Sequence, residues 1–153
     1  MWKTIKVDRP RLVDSIKTTD GRVKYKLGAK PKIGVEPAAF ALADCSGYVR
    51  WLIHRITHSE VLMPDGSWHQ AKWCADQGFK LTDYSMCGLK DDRLRIAFIP
   101  TYRGSVGHVW LCVNGMTIES YGGRGVGRRK WNTPVLLRKV SATYVLTEPM
   151  NQA

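Results

Sequence analysis

The stretch ADCSGYVRWLIHRI, Ala43 to Ile56, sets an acid, a cysteine, a serine and a glycine directly ahead of an apolar helical pattern. Tyr48, Val49, Leu52, Ile53 and Ile56 recur at the spacing of one helix face, and Arg50, His54 and His58 form the opposite stripe. The pattern predicts a helix that begins at Cys45. A thiol placed there meets unpaired backbone N–H groups and the positive end of the helix dipole, and both favour the thiolate. Asp44 is positioned to cap the helix or to face a ligand's amine. Ser46 and Gly47 are small enough to leave the first turn open to a substrate. Taken alone, the stretch fits either a nucleophile or a small buried hydrophobe.

Working outward, Arg11 to Lys17 reads as a short helix stopped by Thr18 to Gly21. RVKYKLGAKPKIGVEP is basic and broken by glycine and proline, so it reads as loop with one short strand at most. A further helix is expected from Trp68 to Gln77, with Ser67 and Gln70 as a capping box and Gly78 as its stop. Beyond Lys90 the signal becomes β: LRIAFI, VGHVWLCV, MTIESY, and then PVLLRKV and ATYVL. GGRGVGRRK reads as an exposed loop. Helices followed by an antiparallel meander predict an α+β fold, in one domain over residues 1–153.

Composition bounds the function. The net charge of +11 favours polyanionic partners, namely nucleic acid, anionic headgroups or anionic cell-wall polymers, without choosing among them. The N-terminal MWKTIKVDRPR has no continuous apolar core of the kind a secretory signal needs, and no uncharged run is long enough to cross a bilayer. The expectation is synthesis in the cytoplasm without a signal peptide. Cys45, Cys74, Cys87 and Cys112 are irregularly spaced, which predicts reduced thiols rather than a disulfide framework.

A nucleophilic cysteine needs a base, and geometry separates the four histidines. His54 and His58 lie at least two turns along the helix from Cys45, and His69 sits in the first turn of the next helix. Their spacings to Cys74 and Cys87 match no common zinc pattern. His108 lies in a hairpin whose register follows from a two-residue Asn114-Gly115 turn. Val113 then pairs with Met116 and Cys112 with Thr117, so His108, Trp110, Cys112, Glu119 and Tyr121 share one face. Glu119 becomes the diagonal neighbour of His108, roughly 7–8 Å away at Cα and within side-chain reach, whereas Ser120 points the other way. A one-residue slip would exchange those two. A carboxylate on one ring nitrogen fixes the tautomer and supports the imidazolium. The same residues also fit an ordinary polar cross-strand pair.

Asp44-Cys45-Ser46-Gly47-Tyr48-Val49, Gly107-His108-Val109 and Ile118-Glu119-Ser120 together resemble the NlpC-type cell-wall cysteine peptidases, and Tyr25-Lys26-Leu27-Gly28 is similar to that family's tyrosine-glycine motif. The resemblance covers roughly residues 22–121. It implies a reduced papain-like α+β domain, with the nucleophile's helix packed on an antiparallel sheet that carries the histidine. It also implies Cys45 as nucleophile, His108 as general base and Glu119 as the residue that orients it. Tyr25 would stand near the thiol, and Asp44 and Ser46 would hold the free amine of a peptidoglycan stem peptide. The bond implied is the one between D-glutamate and the diamino acid; no metal or organic cofactor is implied. The chain departs from the family in three places. Glutamate replaces the usual histidine at the orienting position, Ala29 replaces a glycine, and Asp91-Asp92-Arg93-Leu94 stands where a glycine-aspartate turn is typical.

Three readings follow. The first is a peptidoglycan peptidase that reaches the wall by release or delivery, as a phage lysin, a tail hydrolase or an injected effector would. The second keeps the papain-like site but performs deamidation, transglutamination or acyl transfer on a protein or lipid. The third is a non-enzymatic polyanion-binding module, with Arg124, Arg128, Arg129 and Lys130 gripping phosphates and Trp131 stacking on a ring; its bland counterpart is a solvated turn beside the cleft. No specific nucleic-acid motif is present, and the tryptophans read as core and cleft wall.

Overall fold

The computed structural model describes residues 1–100, 107–133 and 139–150. Its organising element is the Asn114-Gly115 turn. Both residues take left-handed backbone angles, φ 51° and 80°, which a two-residue loop needs if it is to follow the strand twist. The turn joins β5 (His108–Val113) to β6 (Met116–Tyr121), with Val113 opposite Met116, Cys112 opposite Thr117 and Leu111 opposite Ile118. That is the register expected from the sequence.

Six antiparallel strands form the main sheet, in the order β3-β8-β4-β5-β6-β7. They are β3 (Lys80–Thr82), β4 (Arg95–Ile99), β5, β6, β7 (Gly125–Gly127) and β8 (Ala142–Val145). The meander β4 to β6 matches expectation, and β8 returns to pair with both β3 and β4. Gly125–Gly127 is the first correction: this part of the glycine-rich segment is a buried strand paired with β6, not an exposed loop. Most of the expected strand PVLLRKV lies outside the described residues. A two-stranded parallel pair, β1 (Lys24–Tyr25) with β2 (Leu42–Ala43), sits against β7, where the Val126 N–H donates to the Val23 carbonyl at 2.9 Å.

Among the described residues three α-helices complete the α+β fold: α1 (Arg9–Thr19), α2 (Cys45–Ile56) and α3 (Ser67–Gln77). The predicted apolar face of α2 is fully used. Tyr48, Val49, Leu52, Ile53 and Ile56 pack with Val109, Leu111 and Ile118 of β5 and β6 in the main core. The opposite face of the sheet holds a smaller cluster of Trp110, Cys112, Ala97, Tyr84 and Cys87, with Trp131 against it. Alternation along β5 divides its residues between the two clusters. Trp51 and Trp110 are core residues as expected, but Trp68 is 59% exposed.

The capping box on α3 is not formed. Gly66 is the N-cap and offers no side chain, while Gln70 is buried and donates to the carbonyls of Ser46 and Pro64 at 3.0 Å each. Burial under α2 outweighs the local cap. Gly78 does end the helix in the left-handed conformation. Asp92 takes φ 60°, an angle that glycine adopts more easily, and is held there by two hydrogen bonds with Asn114. Ala29 has an ordinary φ and accepts from the Asp44 N–H at 2.8 Å, so alanine costs nothing there.

Candidate active site

Asp44 caps α2 with its side chain, Oδ1 accepting from the Gly47 N–H at 2.8 Å. Oδ2 accepts from the Gly28 N–H at 3.1 Å and pairs with Lys30 Nζ at 2.6 Å. The same ammonium donates to Ser46 Oγ at 2.8 Å. Lys30 was not expected here. It lies in a proline- and glycine-broken loop with no periodic signal, and it supplies an internal ammonium at the place the resemblance reserves for a substrate's amine. A substrate amine at Asp44 and Ser46 has to displace it. Gly47 is small for a different reason from the one expected: a Cβ there would stand 2.8 Å from Asp44 Oδ1 and 3.0 Å from the Ala29 carbonyl. Its smallness admits the 28–30 loop rather than a substrate.

Cys45 is thus fixed at the first position of α2. It is only 4% exposed, and its Sγ donates to the Gly107 carbonyl at 3.8 Å. That carbonyl directly precedes His108, so the end of β5 and the start of α2 meet at the thiol. Cys45 and Glu119 both act on the His108 ring. The Glu119 contact is made through Nε2, 2.8 Å from Oε1. Trp110 stacks on the imidazole, with ring centres 5.3 Å apart and planes 25° apart. The His108 side chain is 17% exposed and Glu119 not at all. Ser120 points away and donates to the Ala43 carbonyl at 2.8 Å, as the hairpin register requires.

Burial alone would depress the basicity of His108. Cys45 and the Glu119 carboxylate reverse this and raise it to about 9. For Glu119, burial would favour the neutral acid, but bonds from His108, Arg129 and Thr117 hold the carboxyl below its ordinary range. Tyr25 lies in the field of Cys45 and Asp44. Its phenol is pushed up first by burial and then by its proximity to those two acidic groups. Tyr25, Asp44, Cys45, Ser46, His108 and Glu119 therefore converge from four parts of the chain.

The raised His108 affinity has a measurable consequence for stability. The folded protein binds this proton more tightly than an ordinary histidine of 6.5 does. The resulting stabilisation is complete below about 6.5 and is lost as pH rises through about 9. The melting temperature of the wild type is expected to fall across that window, and that of His108→Gln to fall less. Equal slopes in the two proteins would contradict the assignment.

Arg129 is the main residue that sequence reasoning missed at this site. Its Nε donates to Glu119 Oε2 at 3.0 Å and its Nη2 to Oε1 at 2.7 Å. Three other members of the expected polyanion-binding loop are also engaged internally, while Lys130 is exposed. Arg124 pairs with Asp20 at 2.8 Å, Arg128 donates to the Thr117 carbonyl at 3.1 Å, and Trp131 packs against the smaller core cluster. The remaining cysteines are buried. Burial drives the Cys74 thiol up to about 12, and a hydrogen bond with Cys87 followed by burial drives Cys112 upward as well. Among the described residues no three metal-ligating side chains cluster, and no helix is long and apolar enough to cross a membrane.

No family model and no curated protein matches the sequence. Solved structures do match the fold. A Staphylococcus aureus protein described as similar to a lipoprotein of the NLP/P60 family superposes with a TM-score of 0.58 at 18% identity, over 95% of this chain and 44% of that one. An NlpC/P60 family protein from Bacillus cereus gives a TM-score of 0.62 at 20% identity, over 91% of this chain and 40% of the other. The P60 domain of an antigen from Mycobacterium avium subspecies paratuberculosis gives 0.55 at 20%, over 92% and 93%. The chain spans less than half the length of the first two. The fold is that of the NlpC/P60 structures, the one the motifs implied.

Proposed function

We propose that this chain is a cysteine peptidase that cleaves an amide bond in peptidoglycan stem peptides, with the D-glutamyl–diamino acid bond as the preferred target. The observation that carries the reading is the convergence of Cys45, at a helix N-terminus with its Sγ on the Gly107 carbonyl, with His108 and the buried carboxylate of Glu119 bound to its Nε2. The Cys45 thiolate attacks the scissile carbonyl and forms the Sγ–C bond. The oxyanion is held by the Cys45 backbone N–H and the Tyr25 phenol. Imidazolium His108 passes its proton to the leaving nitrogen as the C–N bond breaks. Neutral His108 then takes a proton from water, hydroxide adds to the thioester, and Cys45 leaves as thiolate. Glu119 holds the ring throughout.

The substrate class follows the NlpC resemblance and is supported by the net charge of +11, which draws the protein to anionic wall polymers. Delivery to the wall, by phage release, tail assembly or a secretion machine, is the matching reading of where it acts. A polyanion-binding module is less well supported, because Arg124, Arg128 and Arg129 already have partners within the fold. Deamidation or acyl transfer uses the same residues and differs only in the acceptor.

Mass spectrometry of purified muropeptides incubated with wild type and Cys45→Ala tests the proposal. Fragments that gain one water across a single stem bond, from wild type only, are expected. Intact muropeptides from a folded wild type, or equal cleavage by Cys45→Ala, would reject it.

A further inference from the structure

Glu119 stands at a position where a full negative charge raises a difficulty. A general acid must release its proton to the leaving amine. A lone carboxylate in a fully buried setting either keeps that proton on the imidazole or takes a proton itself and stops accepting a hydrogen bond. The fold answers with Arg129, which is fixed in three ways. Its backbone is clamped to Thr117 by two bonds, N–H to Oγ1 and the Thr117 N–H to its carbonyl, both at 2.7 Å. Its guanidinium lies 3.9 Å over the Tyr121 ring. Two parallel N–H groups engage both oxygens of Glu119.

We propose that Arg129 is a positioning residue whose bidentate pair with Glu119 turns a buried carboxylate into a net-neutral hydrogen-bond acceptor for His108. The inference rests on the cysteine-peptidase reading and explains how glutamate can occupy an orienting position where histidine is usual in the family that the motifs resemble. The groups facing the pair are few among the described residues. Cys45 of α2 and Trp110 of β5 face His108. The Thr117 hydroxyl and the Cys112 thiol lie beside Glu119, and the phenols of Tyr121 and Tyr84 lie beside Arg129. None of these supplies a second cation to Glu119, so the compensation falls to Arg129.

The test uses carboxymethylation of Cys45 by iodoacetate, read by intact mass across pH. The Sγ–C bond forms and iodide leaves, so no peptidoglycan is required. The reagent is an anion, and it reacts fastest while thiolate and imidazolium coexist; the alkaline limb therefore reports the His108 proton. In R129M the unneutralised carboxylate should carry that limb upward by about one pH unit or more. In E119Q the half-buried guanidinium is left without a counter-charge, facing the imidazolium. The limb should move downward and the rate at pH 7 fall at least about tenfold. The double variant E119Q/R129M presents a neutral amide with no opposing cation and should recover at least about tenfold over E119Q. A purely structural Arg129 would make the double variant no better than E119Q and leave the limb of R129M where the wild type has it. Either result in folded proteins overturns the proposal. If R129M does not fold, R129Q, which keeps a neutral bond to Glu119, should show the same upward limb. Failure of the peptidase reading would appear separately, as normal labelling of Cys45 without cleavage of muropeptides.

Discussion

Replacing His108 with alanine is expected to lower kcat/KM on stem peptide by about 10³-fold or more while the protein remains folded. Two effects combine. The leaving nitrogen loses its proton donor, commonly a factor of about 10²–10⁴, and the Cys45 thiolate loses the cation that stabilises it. The fold has little reason to fail, because His108 begins its strand and keeps part of its ring in solvent. The space left between Trp110 and Glu119 should admit free imidazole, and added imidazole should restore part of the lost rate. A loss below about tenfold in a folded variant would remove His108 from the mechanism.

The largest structural effect is expected at Gly125. Its φ is 94°, and a Cβ there would overlap the Val23 carbonyl and stand 2.6 Å from the Cα of Lys24. Both close neighbours are backbone, so no side chain can turn aside to make room. Left-handed strain alone costs about 1–2 kcal/mol for an alanine, and separating β7 from the β1 segment adds the loss of the hydrogen bonds between them. The expected total for Gly125→Ala is about 3 kcal/mol or more, a fall in melting temperature of roughly 10 °C for a chain of this size. The variant should also lose activity before it unfolds, since β1 carries Tyr25 and β7 leads directly to Arg129. A melting temperature within about 2 °C of wild type would show that the close approach is easily relieved.

The parts of this molecule that obey short-range rules were legible in the sequence. The α2 face was readable because five apolar residues share one helical stripe, and all five are buried. The placement of Glu119 beside His108 was readable because Asn114-Gly115 admits one turn geometry and alternation then assigns every side chain. Arg129 was not readable. Its position depends on β7, a single valine between two glycines, too short and glycine-rich to signal a strand, which forms one by pairing with the edge of β6. Lys30 was hidden for a related reason: Pro31 and Gly28 mark a loop, and nothing local shows that the loop folds back onto the cap of α2. The capping box at Ser67 failed because Gln70 bonds to α2 across the core, a tertiary contact that outweighs the local one.

The central claim is that Cys45 carries the substrate's acyl group. Its most direct test is intact-protein mass spectrometry of the wild type, acid-quenched within the first turnovers on a purified stem peptide, followed by peptide mapping. The account predicts a transient mass gain equal to the acyl fragment, located on Cys45 and absent from Cys74, Cys87 and Cys112. Cleaved product accumulating with no adduct at Cys45, or with Cys45→Ala as active as wild type, would contradict it.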